Sequence, residues 1–282
     1  MPYARIFALT SLAMIAFAGN SLLCRIALKH TGIDAASFTT IRLISGAAML
    51  WLVVRMRSGT QGGGNWMSAA ALFVYAAGFS FAYMSLPAAT GALLLFGAVQ
   101  ATMIGHGIWT GERLWRLQLV GLILAFGGLV GLLLPGLSAP PLYGSVLMLG
   151  AGVAWGVYSL RGRGAGDPTK VTAGNFLRAV PISAALSLLM SGSMSLDNAG
   201  IWYAVFSGAL ASGTGYAIWY TALPALKSTN AATVQLSVPV IAALGGIVFL
   251  GEPVTLRLAL ASAAILGGIA LVILEKQYSE VT

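Results

Sequence analysis

Long apolar stretches follow one another along the whole chain, and short segments rich in charge, glycine and proline separate them. Each stretch has about the 20 residues that an α-helix needs to cross the hydrocarbon core of a bilayer. The stretches lack the apolar–polar alternation of a membrane β-barrel wall, so strands are not expected. The pattern predicts ten membrane-spanning helices, at residues 5–28, 36–55, 67–86, 89–110, 117–134, 142–160, 171–190, 201–222, 228–250 and 256–275.

The composition agrees with a chain that is solvated by lipid. Hydrophobic residues make up 58% of the chain, charged residues only 8%, and the mean hydropathy is +0.89. An average soluble domain has about a quarter of its residues charged. These values exclude a water-soluble enzyme and a disordered chain. The single cysteine, Cys24, excludes an internal disulfide.

The cations between the predicted spans set the orientation of the chain. If the N-terminus is cytoplasmic, only Lys29 and Arg257 lie in outer loops. The cations that then face the cytoplasm are Arg5, Arg55, Arg57, Arg113, Arg116, Arg161, Arg163, Lys170, Lys227 and Lys276. The positive-inside rule therefore predicts that both termini are cytoplasmic. Since the loops account for most of the net charge of +8, no nucleic-acid partner is expected.

The N-terminal segment has features of both a signal peptide and a membrane-spanning helix. Arg5 and the apolar run behind it resemble a cleavable signal peptide. The run continues as far as Ile26, which is long for a signal sequence. We therefore expect this segment to be an uncleaved first helix.

The two halves of the chain repeat one another at an offset of 136 to 140 residues. The matching segments are Phe81–Ala88 with Ile218–Ala225, Gly111-Glu112 with Gly251-Glu252, Thr39–Arg42 with Asn175–Arg178, and Ala16–Leu22 with Ala154–Leu160. Each half contains five predicted spans, and an odd number inverts the second half relative to the first. The sequence therefore predicts two inverted five-helix repeats, at residues 1–138 and 139–282. Such repeats are typical of secondary transporters that work by alternating access, with a substrate site near the midplane.

Particular residues resemble a known family. The segment from Pro239 to Val254 is similar to the end of an EamA repeat of the drug/metabolite transporter superfamily, and Ala154–Tyr158 resembles the start of such a repeat. The first half departs from this pattern, because Val99 replaces the proline that matches Pro239 and Phe17 replaces the usual tryptophan. Within the family, the chain is most similar to the amino-acid exporters of the YddG type. This resemblance implies a ten-helix exporter in a bacterial inner membrane.

Aromatic residues within the spans are candidates for the wall of a central cavity. Tyr75, Phe79 and Tyr83 share one face of the third helix, and Trp155 and Tyr158 share a face of the sixth. Such walls suit a substrate with an apolar body and can hold an ammonium group by cation–π contact. The alternative is a belt of aromatic residues at the membrane surface. For rings near the middle of a span, we favour the cavity.

A few amides lie within spans, where exposure to lipid would be unfavourable. Asn20, Gln100 and Gln235 can offer donors and acceptors to a zwitterion, although hydrogen bonding between helices explains them equally well. The predicted substrate-binding residues are Asn20, Phe79, Tyr83, Gln100, Trp155, Tyr158 and Gln235.

Arg42, Arg178 and Pro239 are assigned gating or structural roles. The two arginines occupy repeat-related positions, which favours bracing of each repeat over recognition of an anion. No Asp or Glu lies in the middle of a span, and His106 is the one histidine placed to titrate within the membrane. We therefore expect uniport or facilitated exchange rather than proton antiport.

Together, these features predict an inner-membrane carrier that exports amino acids or similar small amphiphilic metabolites. The alternatives are a carrier of phosphorylated or other anionic metabolites, which needs more buried cations, and an intramembrane enzyme, for which no metal motif or aspartate pair is present. A channel is disfavoured because no ring of charges is found. The sequence predicts no enzymatic activity, no cofactor and no metal. Small-residue faces on the fifth and tenth helices are compatible with a monomer or a weak homodimer.

Overall fold

The computed structural model describes residues 3–57, 63–111, 115–136, 139–162, 166–226 and 234–279, with side chains to residue 273. These ranges are helical apart from short loops and turns. The first seven helices are α1 (Tyr3–His30), α2 (Ala35–Met56), α3 (Trp66–Tyr83), α4 (Ala88–Trp109), α5 (Arg116–Leu133), α6 (Leu142–Gly162) and α7 (Pro168–Leu189). They are followed by α8 (Asn198–Phe206), a π-helical segment (Ser207–Thr214), α9 (Gly215–Ala222), α10 (Ser237–Leu250) and α11 (Leu256–Ser279). The all-helical membrane fold is thus confirmed, and eight of these helices are long and apolar enough to cross a bilayer.

The eighth predicted span is one helical rod with an irregular middle. Between α8 and α9, the π-helical segment reads Ser-Gly-Ala-Leu-Ala-Ser-Gly-Thr. Glycine and serine are weak α-helix formers, so this stretch holds the standard spacing poorly. The hydroxyl of Thr214 donates to the carbonyl of Ala209, five residues earlier, at 3.1 Å. Isolated π-helical turns inside α-helices are frequent at functional sites.

The structure describes only the later part of the ninth predicted span. The apolar run begins at residue 228, but residues 227–233 lie outside the described part of the chain, and α10 begins at Ser237. Pro239 is buried in the first turn of α10. A proline is tolerated there because a first-turn N–H has no partner within the helix.

Helices of the two halves pack against one another in repeat-related pairs. The pairs α2 with α7, α4 with α10 and α5 with α11 are all in contact. Likewise, α3 of the first half packs on α6 of the second half. The pair obtained by exchanging the halves, α1 and the α8–α9 rod, is also in contact. This is the pattern of contacts that two equivalent five-helix units produce when they are related by a pseudo-twofold axis. The division at residues 138 and 139, and the cytoplasmic placement of the termini, stay predictions.

Glycine allows α5 and α11 to approach closely. A Cβ built on Gly128 would lie 2.8 Å from the Cβ of Ala264, whereas one built on the neighbouring Gly127 meets no atom within 4 Å. The small-residue face of α5 is therefore used at least partly within the chain. Whether the protein forms a weak homodimer stays a prediction.

A buried ion pair closes one end of the bundle, on the side predicted to be outer. Nε of Arg25, in α1, lies 2.9 Å from Oε1 of Glu252, and both side chains are 7% exposed. Nη1 of Arg25 donates to the carbonyl of Tyr83, and Oε2 of Glu252 accepts the N–H of Ala88. Gly251 ends α10 with a positive φ of 61°, which turns the chain so that Glu252 points back into the protein. This arrangement, the Arg25–Glu252 latch, joins α1, the α3–α4 turn and the end of α10.

Candidate functional site

A cluster of aromatic rings lies where helices of the two halves meet. The rings come from α1, α3, α6, α7 and α9, and most of them are buried. The aromatic cluster comprises Phe17, Tyr75, Phe79, Tyr83, Trp155, Tyr158, Phe176, Tyr216, Trp219 and Tyr220. The sequence-based proposal for the cavity wall did not include five of its members, namely Phe17, Phe176, Tyr216, Trp219 and Tyr220.

Trp155 is the central ring of the aromatic cluster. Its centroid lies 4.8 Å from that of Tyr75, a residue of the first half. It is stacked on Tyr216 at 5.2 Å with an interplanar angle of 19°, and on Tyr158 at 5.3 Å. One indole therefore connects α3, α6 and α9. The predicted pair of Trp155 and Tyr158 is brought together as expected from their spacing.

The face of α3 continues the cluster toward the latch. Tyr75 contacts Phe79 at 5.5 Å, and Phe79 contacts Tyr83 edge-on at 4.7 Å. Phe79 and Tyr83 are both fully buried. The hydroxyl of Tyr83 donates to the carbonyl of Ala88, so this ring packs directly beneath the Arg25–Glu252 latch.

The aromatic cluster is built from repeat-related positions. Phe79 and Tyr216 are 137 residues apart, as are Tyr83 and Tyr220, and Phe17 and Trp155 are separated by 138. The ring of Phe17 lies 5.6 Å from that of Tyr216. Each half thus contributes matched rings to one junction, which is the place where inverted repeats put a substrate site.

Arg42 lies inside this junction with its charge unpaired among the described residues. It is 2% exposed, and its guanidinium carbon lies 4.8 Å from the centroid of Phe79 and 5.3 Å from that of Tyr75. Nη2 donates to the hydroxyl of Tyr75 at 3.1 Å. Nε and Nη1 are buried and have no hydrogen-bond partner within the described part of the protein.

Arg178, the repeat counterpart of Arg42, is bound differently. Its Nη1 donates to the carbonyls of Gly63 and Gly174, both at 2.9 Å. It therefore ties α7 to the segment before α3, as a bracing residue would. Within the described residues Arg42 donates to no such backbone carbonyl, so the two arginines do not share one structural role.

Asn20 lies beside Arg42 on the same tyrosine. Its Nδ2 approaches the hydroxyl of Tyr75 at 3.5 Å, and its Oδ1 accepts a 2.6 Å hydrogen bond from the hydroxyl of Ser207. Ser207 is the first residue of the π-helical segment. We refer to Asn20, Arg42, Tyr75 and Ser207 as the polar centre. The sequence analysis identified Asn20, but the single sequence contained no feature that pointed to Ser207.

Tyr158 is tied to α7 by its hydroxyl. This hydroxyl accepts a hydrogen bond from Nδ2 of Asn175 at 3.3 Å and donates to Thr172 at 3.4 Å. Oδ1 of Asn175 in turn accepts the N–H of Asn65 at 2.9 Å. This network orients the stacked face of Tyr158 toward Trp155.

The other predicted residues lie on α4 and α10. Gln100 is buried within α4 and Gln235 is partly buried just before α10, and contact of either with substrate stays a prediction. His106 is exposed on α4, outside the buried core. Glu252, which the sequence analysis did not include in the site, forms the latch.

The described carboxylates lie away from the polar centre. Asp34, Asp167 and Asp197 are at the N-termini of α2, α7 and α8, and Glu252 is paired with Arg25. Partial burial opposes ionisation of Asp34, but hydrogen bonds from a serine hydroxyl and three backbone N–H groups outweigh it and lower the pKa of this carboxyl. Within the described ranges, no group of three or more His, Cys, Asp or Glu could hold a metal ion.

The fold is shared with a solved protein structure. One crystal structure superposes with a TM-score of 0.68 and covers 97% of this chain and 99% of its own, at 20% sequence identity. With the membrane-crossing helices, paired halves and buried junction described above, the molecule has the architecture of a secondary transporter.

Comparison with protein families and relatives identifies the kind of transporter. Residues 142–274 match the model of the EamA-like transporter family. An uncharacterized protein of Pseudomonas aeruginosa, PA1977, is 60% identical over 275 residues, which are 97% of this chain and 96% of its own. An uncharacterized transporter of Archaeoglobus fulgidus is 26% identical over 86% of this chain and 89% of its own. The chain belongs to the EamA-like transporter family and is a multi-pass protein of the cytoplasmic membrane, not an enzyme.

More distant relatives have a named substrate. The threonine/homoserine exporter RhtA of Escherichia coli strain K12 is 35% identical over 155 residues, which cover 52% of this chain and 51% of that protein. RhtA of Salmonella typhimurium strain LT2 is 35% identical over 144 residues, 48% of each chain. These matches therefore concern about half of each protein.

Proposed function

We propose that this transporter exports small neutral amino acids, or amphiphilic metabolites of similar shape, by alternating access through the aromatic cluster. The observation that carries the proposal is the polar centre, a buried group of donors and acceptors enclosed by aromatic rings at the junction of the two halves. The relatives named RhtA support amino acids as the substrate class and export as the direction.

The chemistry of the junction matches the three parts of an amino acid. Aromatic faces attract an ammonium group by cation–π contact, and they also pack against a small apolar side chain. The amide of Asn20 and the hydroxyl of Tyr75 provide polar contacts for the backbone part of the substrate. Trp155 is stacked on Tyr216 in this structure, so the substrate enters when these rings separate.

Alternating access requires a closure that can open. The Arg25–Glu252 latch closes the predicted outer side above Tyr83, and its partners belong to both halves of the chain. In this proposal the latch breaks when the carrier opens outward.

Proton antiport is not part of the proposal. The described carboxylates occupy helix ends or the latch, and His106 is exposed on α4. Uniport or exchange of amino acids requires no titrating group in the core.

The test is efflux from proteoliposomes that hold the purified protein and a panel of labelled neutral, aromatic, basic and acidic amino acids, with and without a pH gradient. We expect efflux of neutral amino acids that does not depend on the gradient. Absence of amino-acid efflux would contradict the proposal, and gradient-driven efflux would contradict uniport.

Trp155→Ala tests the place of binding. It removes the ring that joins three helices, and truncating an aromatic anchor typically costs about 2 kcal/mol or more of binding free energy. We therefore expect efflux to fall by about tenfold or more. Trp202→Ala is the matched control, because Trp202 is 59% exposed and its one ring contact in the described part of the chain is with Phe206. Equal activity of the two variants would exclude the aromatic cluster as the binding site.

A further inference from the structure

Arg42 has an environment that the bracing role predicted from sequence does not explain. We infer that its guanidinium is the receptor for the carboxylate of the transported amino acid. This inference rests on the proposed function and names the substrate group that one residue recognises.

The buried N–H groups of Arg42 are suited to binding an anion. The guanidinium has five N–H groups, yet only Nη2 has a described partner, the neutral hydroxyl of Tyr75. Nε and Nη1 are buried without a partner in the described residues. A buried unpaired charge is strongly unfavourable, so a site of this kind favours any anion that can reach it. A carboxylate accepts such bonds in the geometry that guanidinium groups recognise best.

The comparison with Arg178 separates a fold role from a binding role. The two arginines stand at equivalent positions of the repeat, so a role in the fold alone predicts equivalent partners. Arg178 has two backbone carbonyls at 2.9 Å, whereas Arg42 has two ring faces and a hydroxyl. Among the described residues, Arg42 therefore lacks the backbone carbonyl partners that hold Arg178 in place.

The charge of the junction favours a monoanionic group. A phosphomonoester carries about −1.5 to −2 charges at neutral pH, which one guanidinium does not neutralise. The other buried arginine of the described residues, Arg25, is already paired with Glu252. A neutral amino acid brings one carboxylate for Arg42 and one ammonium group for the ring faces, so the complex keeps the single positive charge of Arg42 itself.

The experiment measures ligand-induced thermal stabilisation of the purified full-length protein. The probes are L-threonine, L-phenylalanine, and the corresponding amino alcohols threoninol and phenylalaninol, which keep the ammonium group and side chain but lack the carboxylate. Sodium phosphate is the competing anion. The variants are Arg42→Gln and Arg42→Lys, with Arg178→Gln as the matched control.

We expect the wild type to bind at least one amino acid about tenfold or more tightly than its alcohol, the size of a lost hydrogen bond to a charged group. Arg42→Gln should bind the amino acid and its alcohol equally, and Arg42→Lys should keep part of the preference. Without ligand, Arg42→Gln should be at least as stable as the wild type, because it removes an unpaired buried charge. Arg178→Gln should lower the melting temperature and keep the preference for the carboxylate.

Several results would overturn the inference. The first is an undiminished preference for the carboxylate in Arg42→Gln. The second is a loss of stability of that variant without ligand, or its failure to fold. The third is stabilisation of the protein by phosphate that exceeds stabilisation by both amino acids. In the first two cases amino-acid efflux by the wild type would leave the proposed function intact. Absence of both efflux and amino-acid binding in the wild type would reject the proposed function itself.

Discussion

Breaking the Arg25–Glu252 latch should expose the interior of the carrier from its predicted outer side. Glu252→Gln leaves the shape of the side chain almost unchanged but leaves Arg25 buried without a counter-charge. Both side chains are 7% exposed, so solvent screens the pair weakly. Removing one partner of a buried ion pair typically costs about 3–5 kcal/mol. If the open state lacks the latch, its population should rise by about a hundredfold to a few thousandfold.

The chain contains its own reporter for this change. Cys24 is the single cysteine, is fully buried, and is adjacent to Arg25 in α1. A membrane-impermeant maleimide added to right-side-out vesicles should label Cys24 at least about tenfold faster in Glu252→Gln than in the wild type, allowing for an open state that exposes the thiol only in part.

Two controls separate loss of the latch from a general change of the surface. The double variant Arg25→Gln/Glu252→Gln removes both charges, so its labelling rate should fall between those of the wild type and Glu252→Gln. Arg257→Gln removes a partly buried cation that donates to the carbonyl of Leu134, away from the latch partners, and should leave the rate unchanged. An unchanged labelling rate in Glu252→Gln would refute the reasoning.

Two further predictions concern packing and pH. Gly128→Ala should weaken the α5–α11 contact and lower the melting temperature by an amount equivalent to about 1–3 kcal/mol, because its methyl group overlaps Ala264, whereas Gly127→Ala should have little effect. Because the pKa of Asp34 is lowered in the folded protein, its contribution to stability should be complete at neutral pH and be lost as the pH falls through that lowered pKa. Asp34→Asn should remove this acid-dependent part of the melting curve, and an unchanged curve would contradict the assignment.

The spans could be predicted from the sequence because each element satisfies its own backbone within the membrane. The predicted span 36–55 became Ala35–Met56, and 142–160 became Leu142–Gly162. The irregular middle of the eighth span could not be predicted, since serine and glycine weaken α-helical spacing without specifying what replaces it. Hydropathy is also unaffected by a change of helical pitch.

The site could be predicted only in part. Helical spacing placed Tyr75, Phe79 and Tyr83 on one face, but their contact with Trp155 depends on how α3 packs against α6. The roles of the two arginines could not be separated, because the carbonyl of Gly63 that binds Arg178 belongs to a distant loop. Sequence symmetry identifies equivalent positions, while tertiary contacts determine what surrounds them.

The π-helical segment has a geometric consequence for Tyr216, which follows it by two residues. A π-helical turn holds one more residue than an α-helical turn, so the segment is an insertion absorbed within a continuous rod. Moving that extra residue along the rod rotates the backbone it passes by about 100° and shifts it by about 1.5 Å. A change of this kind would swing Tyr216 away from Trp155 while both ends of the rod stay in place. The π-helical segment therefore lets the eighth span change its helical register locally. Tyr216 can then change its contacts while every helix stays within the membrane.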